Sequence, residues 1–246
     1  MRRIFVSPEN IKGEIITLKG EPFKKVKTVL RLNTGDTFWV FDGSGYEYFS
    51  QIISFNSHEA ELRILKKDNP VRESPIEIHL GQALPKANKM NFIIQKAVEL
   101  GVSEIHPFYS SRTLPWYNEG QLISRLRRWQ KISQEASQQS GRNQIPAVNH
   151  PKDFSTLLKL APEESLKIIL QKKSPHNSLK NIMQIESKKK HIFFLVGPEG
   201  GFTQEEISLS LNFGFRPISL GERILRTETA AITLLSIIQY EWGDVC

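Results

Sequence analysis

The sequence predicts an α/β protein in two parts: a small β-barrel, then a largely parallel sheet with helices packed on it. Three observations predict this. From Arg3 to about Leu65, apolar residues recur in short β-like runs. A polar stretch, "KKDNPVRESP", bracketed by Pro70 and Pro75, then breaks the pattern as a linker would. Beyond it, apolar strands alternate with helical segments, the rhythm of a parallel sheet. The predicted boundaries are 1–72 and 73–246.

In the first part the strands are "RIFV", "GEIITL", "DTFWVFDGSG", "YEYFSQIISF" and "EAELRIL", separated by Gly, Asp, Asn and Ser. One helical stretch interrupts them, "PFKKVKTVLRL". There Phe23, Val26, Val29 and Leu30 are expected on one face, with Lys24, Lys25, Lys27 and Arg31 off it, toward solvent or RNA. In the second part the strands are "IEIHLGQAL", "EIHPF", "LKIILQ", "HIFFLVG" and "RPISL". Between them run "KMNFIIQKAVELG", "QLISRLRRWQKISQEASQQS" and "TQEEISLSLNFG" as helices. A last segment from Ala230 to Ile238 is apolar nearly all round, which predicts a helix covered on both sides, by the sheet and by a second subunit or further core.

Two bends carry the chemistry. "LVGPEGGFTQEE", Leu195 to Glu206, bares three glycines where a buried strand passes into a helix, the place where open α/β sheets bind ligands. Thr203 and Glu206 also form a capping box, so part of the stretch has a purely structural purpose. Neither G-x-x-x-x-G-K-[ST] nor G-x-G-x-x-G is present, which disfavours ATP and nicotinamide cofactors. "LGERILRTETA", Leu220 to Ala230, packs two arginines, two glutamates and two threonines ahead of the last helix. These suit a ligand's polar edges, or Arg223 and Arg226 pair with Glu222 and Glu228.

Charge and cysteine content narrow the classes further. A formal net charge of +7 favours an anionic partner, nucleic acid first, with a merely basic enzyme as the alternative. The excess is +3 over residues 1–72 and +4 beyond, so either part could meet RNA. The single cysteine, Cys246, excludes an intrachain disulfide and a cysteine-zinc cluster, in keeping with a reducing compartment. The six histidines show no paired spacing, so no metal is expected. No apolar run reaches the ~20 residues of a membrane span, and a cytoplasmic protein is expected.

Taken in order, "IIQKAVELGV", "RWQKISQEASQQSGR", "LVGPEGGFTQEE" and "LGERILRTETA" resemble the RsmE family of ribosomal RNA uridine-N3 methyltransferases, in the SPOUT superfamily. The N-terminal "RRIFV", "VLRLNTGD" and "FDGSG" resemble that family's PUA-like barrel, so the likeness spans the whole chain. The resemblance implies a C-terminal trefoil knot, a rare exception to ordinary chain topology. It implies methyl transfer from S-adenosylmethionine to N3 of a uridine in small-subunit ribosomal RNA, free or in the assembled subunit, by a homodimer. A knotted enzyme with another RNA target, and a non-catalytic RNA-binding assembly factor, are the alternatives.

Carried over residue by residue, the cofactor site implied is Leu170, Gly197, Pro198, Glu199, Gly200, Gly201, Leu220, Gly221, Ile224 and Leu225. Arg226 would stabilise the uracil anion or clamp RNA, and Glu228 would accept the proton. Arg2, Arg3, Arg31, Arg128 and Arg142 would touch RNA. The chain departs from the family pattern at Lys24, Lys25 and Val26, where histidines are common, and at Gln138, where an acid is; none lies in the cofactor loops.

Overall fold

The computed structural model describes residues 3–114, 117–172, 179–185 and 188–245. Arg2 and Cys246 lie outside the described residues. The chain divides into two compact units, Met1–Glu73 with Ser137–Ile145, and Ser74–Ala136 with Pro146–Cys246.

The first unit is built on one six-stranded sheet. Its strands are β1 (Arg3–Phe5), β2 (Ile11–Lys12), β3 (Ile15–Lys19), β4 (Thr37–Phe41), β5 (Glu47–Phe55) and β6 (Glu59–Asp68). They lie in the order β1-β4-β5-β6-β3-β2, with β1 parallel to β4 and the rest antiparallel. Alternation turns Ile16, Leu18, Phe38, Val40, Ile52, Ala60 and Leu62 into one core.

The helical stretch predicted between β3 and β4 forms, but its register changes midway. Helix α1 (Gly20–Lys24) widens into a π-type turn over Lys25–Val29, where Leu30 N–H donates to the Lys25 carbonyl at 2.9 Å. The extra residue in that turn rotates Val29 outward. Val29 is 70% exposed, while Phe23 and Val26 stay buried, so the expected four-residue face is reduced.

Two arginines expected at an RNA surface are instead part of this unit's interior. The Arg3 guanidinium lies 2.6 Å from Glu47 and 4.0 Å over the Phe41 ring, and it donates to the Arg142 carbonyl at 2.6 Å. Burial pulls its pKa below the ordinary value, with Glu47 opposing. Arg142 is buried too, its Nε donating to Glu73 at 2.9 Å. Both are corrections: a side chain already desolvated and ion-paired is not available to a phosphate. Neighbouring Asn143 donates to the carbonyls of Gly45 and Pro70 at 2.7 and 2.8 Å, which fastens residues 137–145 to this unit. Gln138, a departure from the family pattern, accepts from Phe5 N–H at 3.1 Å.

The second unit is a parallel sheet. It comprises β7 (Glu77–Ala83), β8 (Glu104–Tyr109), β9 (Ala147–Val148), β10 (Lys152–Asp153), β11 (Leu166–Leu170), β12 (His191–Val196) and β13 (Arg216–Ile218). The order is β10-β8-β7-β12-β11-β13, with β9 also pairing β8. Its helices are α2 (Lys89–Glu99), α3 (Glu119–Ser140, whose last turn joins the first unit), α4 (Phe154–Leu158), α5 (Leu179–Ile185), α6 (Gln204–Asn212) and α7 (Thr227–Trp242). Strand β12 is apolar without a break from Ile192 to Val196 because both its faces are covered. On β12, Ile192, Phe194 and Val196 enter one core with α2 and α7, and Phe193 and Leu195 enter another with α4 and α6.

Helix α7 is fixed by one buried amide. Gln239 donates to the carbonyls of Leu100 and Gly101 at 2.9 and 3.3 Å and accepts from Ser74 Oγ at 2.9 Å. Gly101, past the end of α2, is at φ 79°, and a Cβ there would stand 2.4 Å from the Gln239 amide, so only glycine fits.

Candidate active site

At the carboxyl ends of β11, β12 and β13 a cavity of about 550 Å³ opens. That is the position at which open α/β sheets hold ligands and a size that suits a small organic molecule. The two bends singled out in the sequence form its walls. Gly197 to Gln204 line one side and Leu220 to Thr227, except Glu222, the other, with Leu170, Gln171 and Lys172 between.

All ten residues expected at the cofactor line this cavity: Leu170, Gly197, Pro198, Glu199, Gly200, Gly201, Leu220, Gly221, Ile224 and Leu225. Arg226 lines it as well, at the N-cap of α7. Its guanidinium makes no hydrogen bond or ion pair among the described residues, so the pairing of Arg226 with Glu228 is not formed. Glu228 is not a wall residue. Its carboxylate is mostly buried, with Oε2 3.5 Å from Lys89 Nζ, too long for a hydrogen bond.

The bare backbone is used in more than one way. Gly201 sits at φ 72° and Gly221 at φ 99°, conformations that side chains rarely adopt. Gly197 and Gly200 do not; they give space, to the Phe202 ring and to the Arg112 stem respectively. Replacing Gly201 with alanine is therefore expected to cost about 1–2 kcal/mol, to be read by chemical denaturation of the full chain. The predicted capping box is present: Glu206 N–H donates to Thr203 Oγ1 at 3.2 Å, and Thr203 N–H to Glu206 Oε2 at 2.8 Å.

Sequence reasoning missed the residues that hold these loops in place. Gln82 on β7 donates to Thr227 Oγ1 at 3.0 Å, and Thr227 donates to the Gly197 carbonyl at 2.7 Å, so one buried chain of hydrogen bonds joins the two bends. Arg112 donates to the Gly200 carbonyl at 2.9 Å. Lys89 reaches Glu199 at 2.9 Å, and Lys86 N–H adds a second bond at 3.2 Å. Burial pushes the Glu199 carboxyl up, but Lys89 and the backbone donors outweigh it and hold the pKa below the ordinary range. These contacts are 30 to 145 residues apart in the chain, and no local pattern marks them.

The wall thus combines glycine backbone and aliphatic side chains with cationic groups at Lys89, Arg112, Lys172, Arg223 and Arg226. Such a site can enclose a flat, uncharged ring and place cations beside an anionic partner. Arg31 and Arg128, expected to meet RNA, are both exposed, Arg31 in the first unit and Arg128 on α3. Among the described residues, no helix is long and apolar enough to cross a membrane.

Comparison with known proteins gives the same picture. The family model for an RNA methyltransferase domain matches residues 72–239, and that for an RNA methyltransferase PUA domain matches residues 26–65. The chain is 37% identical over 237 residues to the ribosomal RNA small subunit methyltransferase E of Buchnera aphidicola subsp. Schizaphis graminum, covering 95% of this chain and 93% of that protein. It is 30% identical to the Bacillus subtilis protein of that name, covering 98% and 97%. The crystal structure of the same enzyme from Neisseria gonorrhoeae, bound to S-adenosyl methionine, superposes with a TM-score of 0.89 at 35% identity over 100% of both chains. With two ordered loops closing one cavity and full-length likeness on both counts, this chain belongs to the ribosomal RNA small subunit methyltransferase E family.

Proposed function

We propose that the chain binds S-adenosylmethionine in this cavity and methylates N3 of a uridine in small-subunit ribosomal RNA. The observation that carries this reading is the closure of Gly197–Gly201 and Leu220–Leu225 around one 550 Å³ hollow, lined by glycine backbone and aliphatic side chains. That donor set fits an adenosine, whose ring edge asks for backbone N–H and C=O and whose faces ask for apolar cover. It lacks the phosphate-cradling fingerprints of ATP and NAD sites.

The cofactor supplies a methyl group activated on a sulfonium. The chain's own residues do the rest. Leu170, Leu220, Ile224 and Leu225 would cover the faces of the base, with Gly197, Pro198, Glu199, Gly200, Gly201 and Gly221 framing it. Positioning supplies much of the rate in a displacement that needs the nucleophile in line. Arg226 would stabilise the anion of a uracil that has lost its N3 proton. Glu228 would act through Lys89, holding that ammonium at the cavity mouth, rather than as the proton acceptor. Arg31 and Arg128 would contact phosphates, and their loss should flatten the salt dependence of RNA binding.

The wider reading includes a trefoil knot, a homodimer and a cytoplasmic setting. The dimer is supported by α7, where Ile232 and Ile237 are only half-buried and Tyr240 is 68% exposed. Small-subunit ribosomal RNA, free or assembled, is the substrate class.

Calorimetric titration with S-adenosylmethionine, followed by methyl-transfer assays on small subunits from cells lacking the gene, tests the proposal. Saturable one-to-one binding and a methylated uridine mapped to a single position are expected. Absence of binding by folded protein would overturn it, and methylation at another base or another RNA would correct the target alone.

A further inference from the structure

Toward the amino ends of two other strands of the same sheet, His79 of β7 and Glu104 and His106 of β8 converge. His79 and Glu104 are directly opposed in the parallel register, and His106 lies two residues along on the same face. His79 Nδ1 stands 3.3 Å from Glu104 Oε2, His106 Nε2 stands 3.2 Å from the same oxygen, and the two ring nitrogens are 3.2 Å apart.

That triangle is not explained by hydrogen bonding. A carboxylate oxygen only accepts, so either both imidazoles donate to it with their N–H groups facing each other, or one N–H is shared between it and the lone pair of the other ring. At most two of the three contacts can be hydrogen bonds. A cation near the centre satisfies all three. Zinc bonds of about 2.0–2.1 Å at tetrahedral angles set neighbouring ligand atoms about 3.3–3.4 Å apart, within about 0.2 Å of the 3.2, 3.2 and 3.3 Å found. An octahedral ion with similar bonds would need about 3.0 Å.

The surroundings hold the ligands in this arrangement. The Phe193 ring stacks on both imidazoles, with centroids 5.7 Å from His79 and 5.2 Å from His106. Asn149 reaches the remote nitrogen of His106, its amide 3.3 Å from Nδ1. The same amide nitrogen donates to the Ile105 carbonyl at 3.4 Å, which holds the Asn149 side chain beside the ring. Glu104 is 35% exposed, which leaves a path for the ion and room for a water.

We propose that His79, Glu104 and His106 form a site for a tetrahedral first-row transition-metal dication, zinc by preference, with water as the fourth ligand. The site ties β7 to β8 toward their amino ends, and none of its three residues lines the cavity, so its occupancy affects stability rather than the methyl-transfer chemistry. Ligand spacing along the chain gives no hint of it, because the two histidines are 27 residues apart and meet only through strand pairing.

Cobalt(II) titration of the chelator-treated full chain, carrying Cys246→Ser to remove thiolate ligation, tests this. One equivalent should bind with visible absorption of tetrahedral intensity, which zinc then displaces. His79→Ala and His106→Ala should each abolish the bands, and Glu104→Gln should weaken binding at least ten-fold. His191, 2.6 Å from Glu77, is untouched in every variant and serves as an internal control. Should buried His106→Ala fail to fold by circular dichroism, the more exposed His79→Ala carries the comparison. No saturable bands from folded protein, weak bands of octahedral type, or equal binding by the histidine variants would overturn the proposal.

Discussion

Arg226→Ala is expected to lower kcat about 10²–10³-fold, the loss typical of removing one donor aimed at developing charge, with S-adenosylmethionine affinity and folding unchanged. Arg226 lines the cavity at the start of α7 and has no partner among the described residues, so its charge is free to meet a substrate. The dipole at a helix N-terminus adds to the positive potential there. Steady-state kinetics at saturating RNA, with calorimetry for the cofactor, separate two roles. A fall in kcat assigns anion stabilisation, and a rise in KM with kcat preserved assigns an RNA clamp. Unchanged kcat and KM would remove Arg226 from the mechanism. Glu228→Gln is expected to have the smaller effect, because its carboxylate is set back toward Lys89.

Arg3→Ala is expected to destabilise the first unit by about 3 kcal/mol, near the lower end of the cost of breaking a buried ion pair. The side chains of Arg3 and Glu47 are only 5% and 2% exposed, so removing the guanidinium strands a buried carboxylate. Arg72 Nε, 3.2 Å from the same carboxylate, partly compensates, which is why the lower end applies. The double change Arg3→Met with Glu47→Leu should recover most of the loss, since apolar replacement of a buried pair is often neutral. Urea unfolding of the three proteins measures this. An Arg3→Ala variant that unfolds like the parent but binds RNA less tightly would restore the surface role expected from sequence.

The contrast between these arginines shows how far sequence reading reaches. Arg3, Arg31, Arg128 and Arg142 look alike in the chain. Two are exposed and two are buried, because Glu47 and Glu73 lie beside Arg3 and Arg142 only after β5 and the 137–145 segment are packed. Val29 failed for a local reason: a π-type turn shifts the helical period by one residue, and nothing in "KKVKTV" marks the shift.

By itself the sequence determined the order of the longer β and α elements, though not the short β2, β9, β10, α4 and α5, together with the two loops that line the cavity, the capping box at Thr203 and the family. Each is written in short-range patterns: period-2 alternation, helical spacing, and glycine where backbone is bare. Only the tertiary structure decided which charges are spent internally, how Gln82 and Thr227 join the two loops, and that His79, Glu104 and His106 meet. Those outcomes depend on strand pairing and helix packing between residues far apart in the chain, where side-chain type says little until neighbours are known.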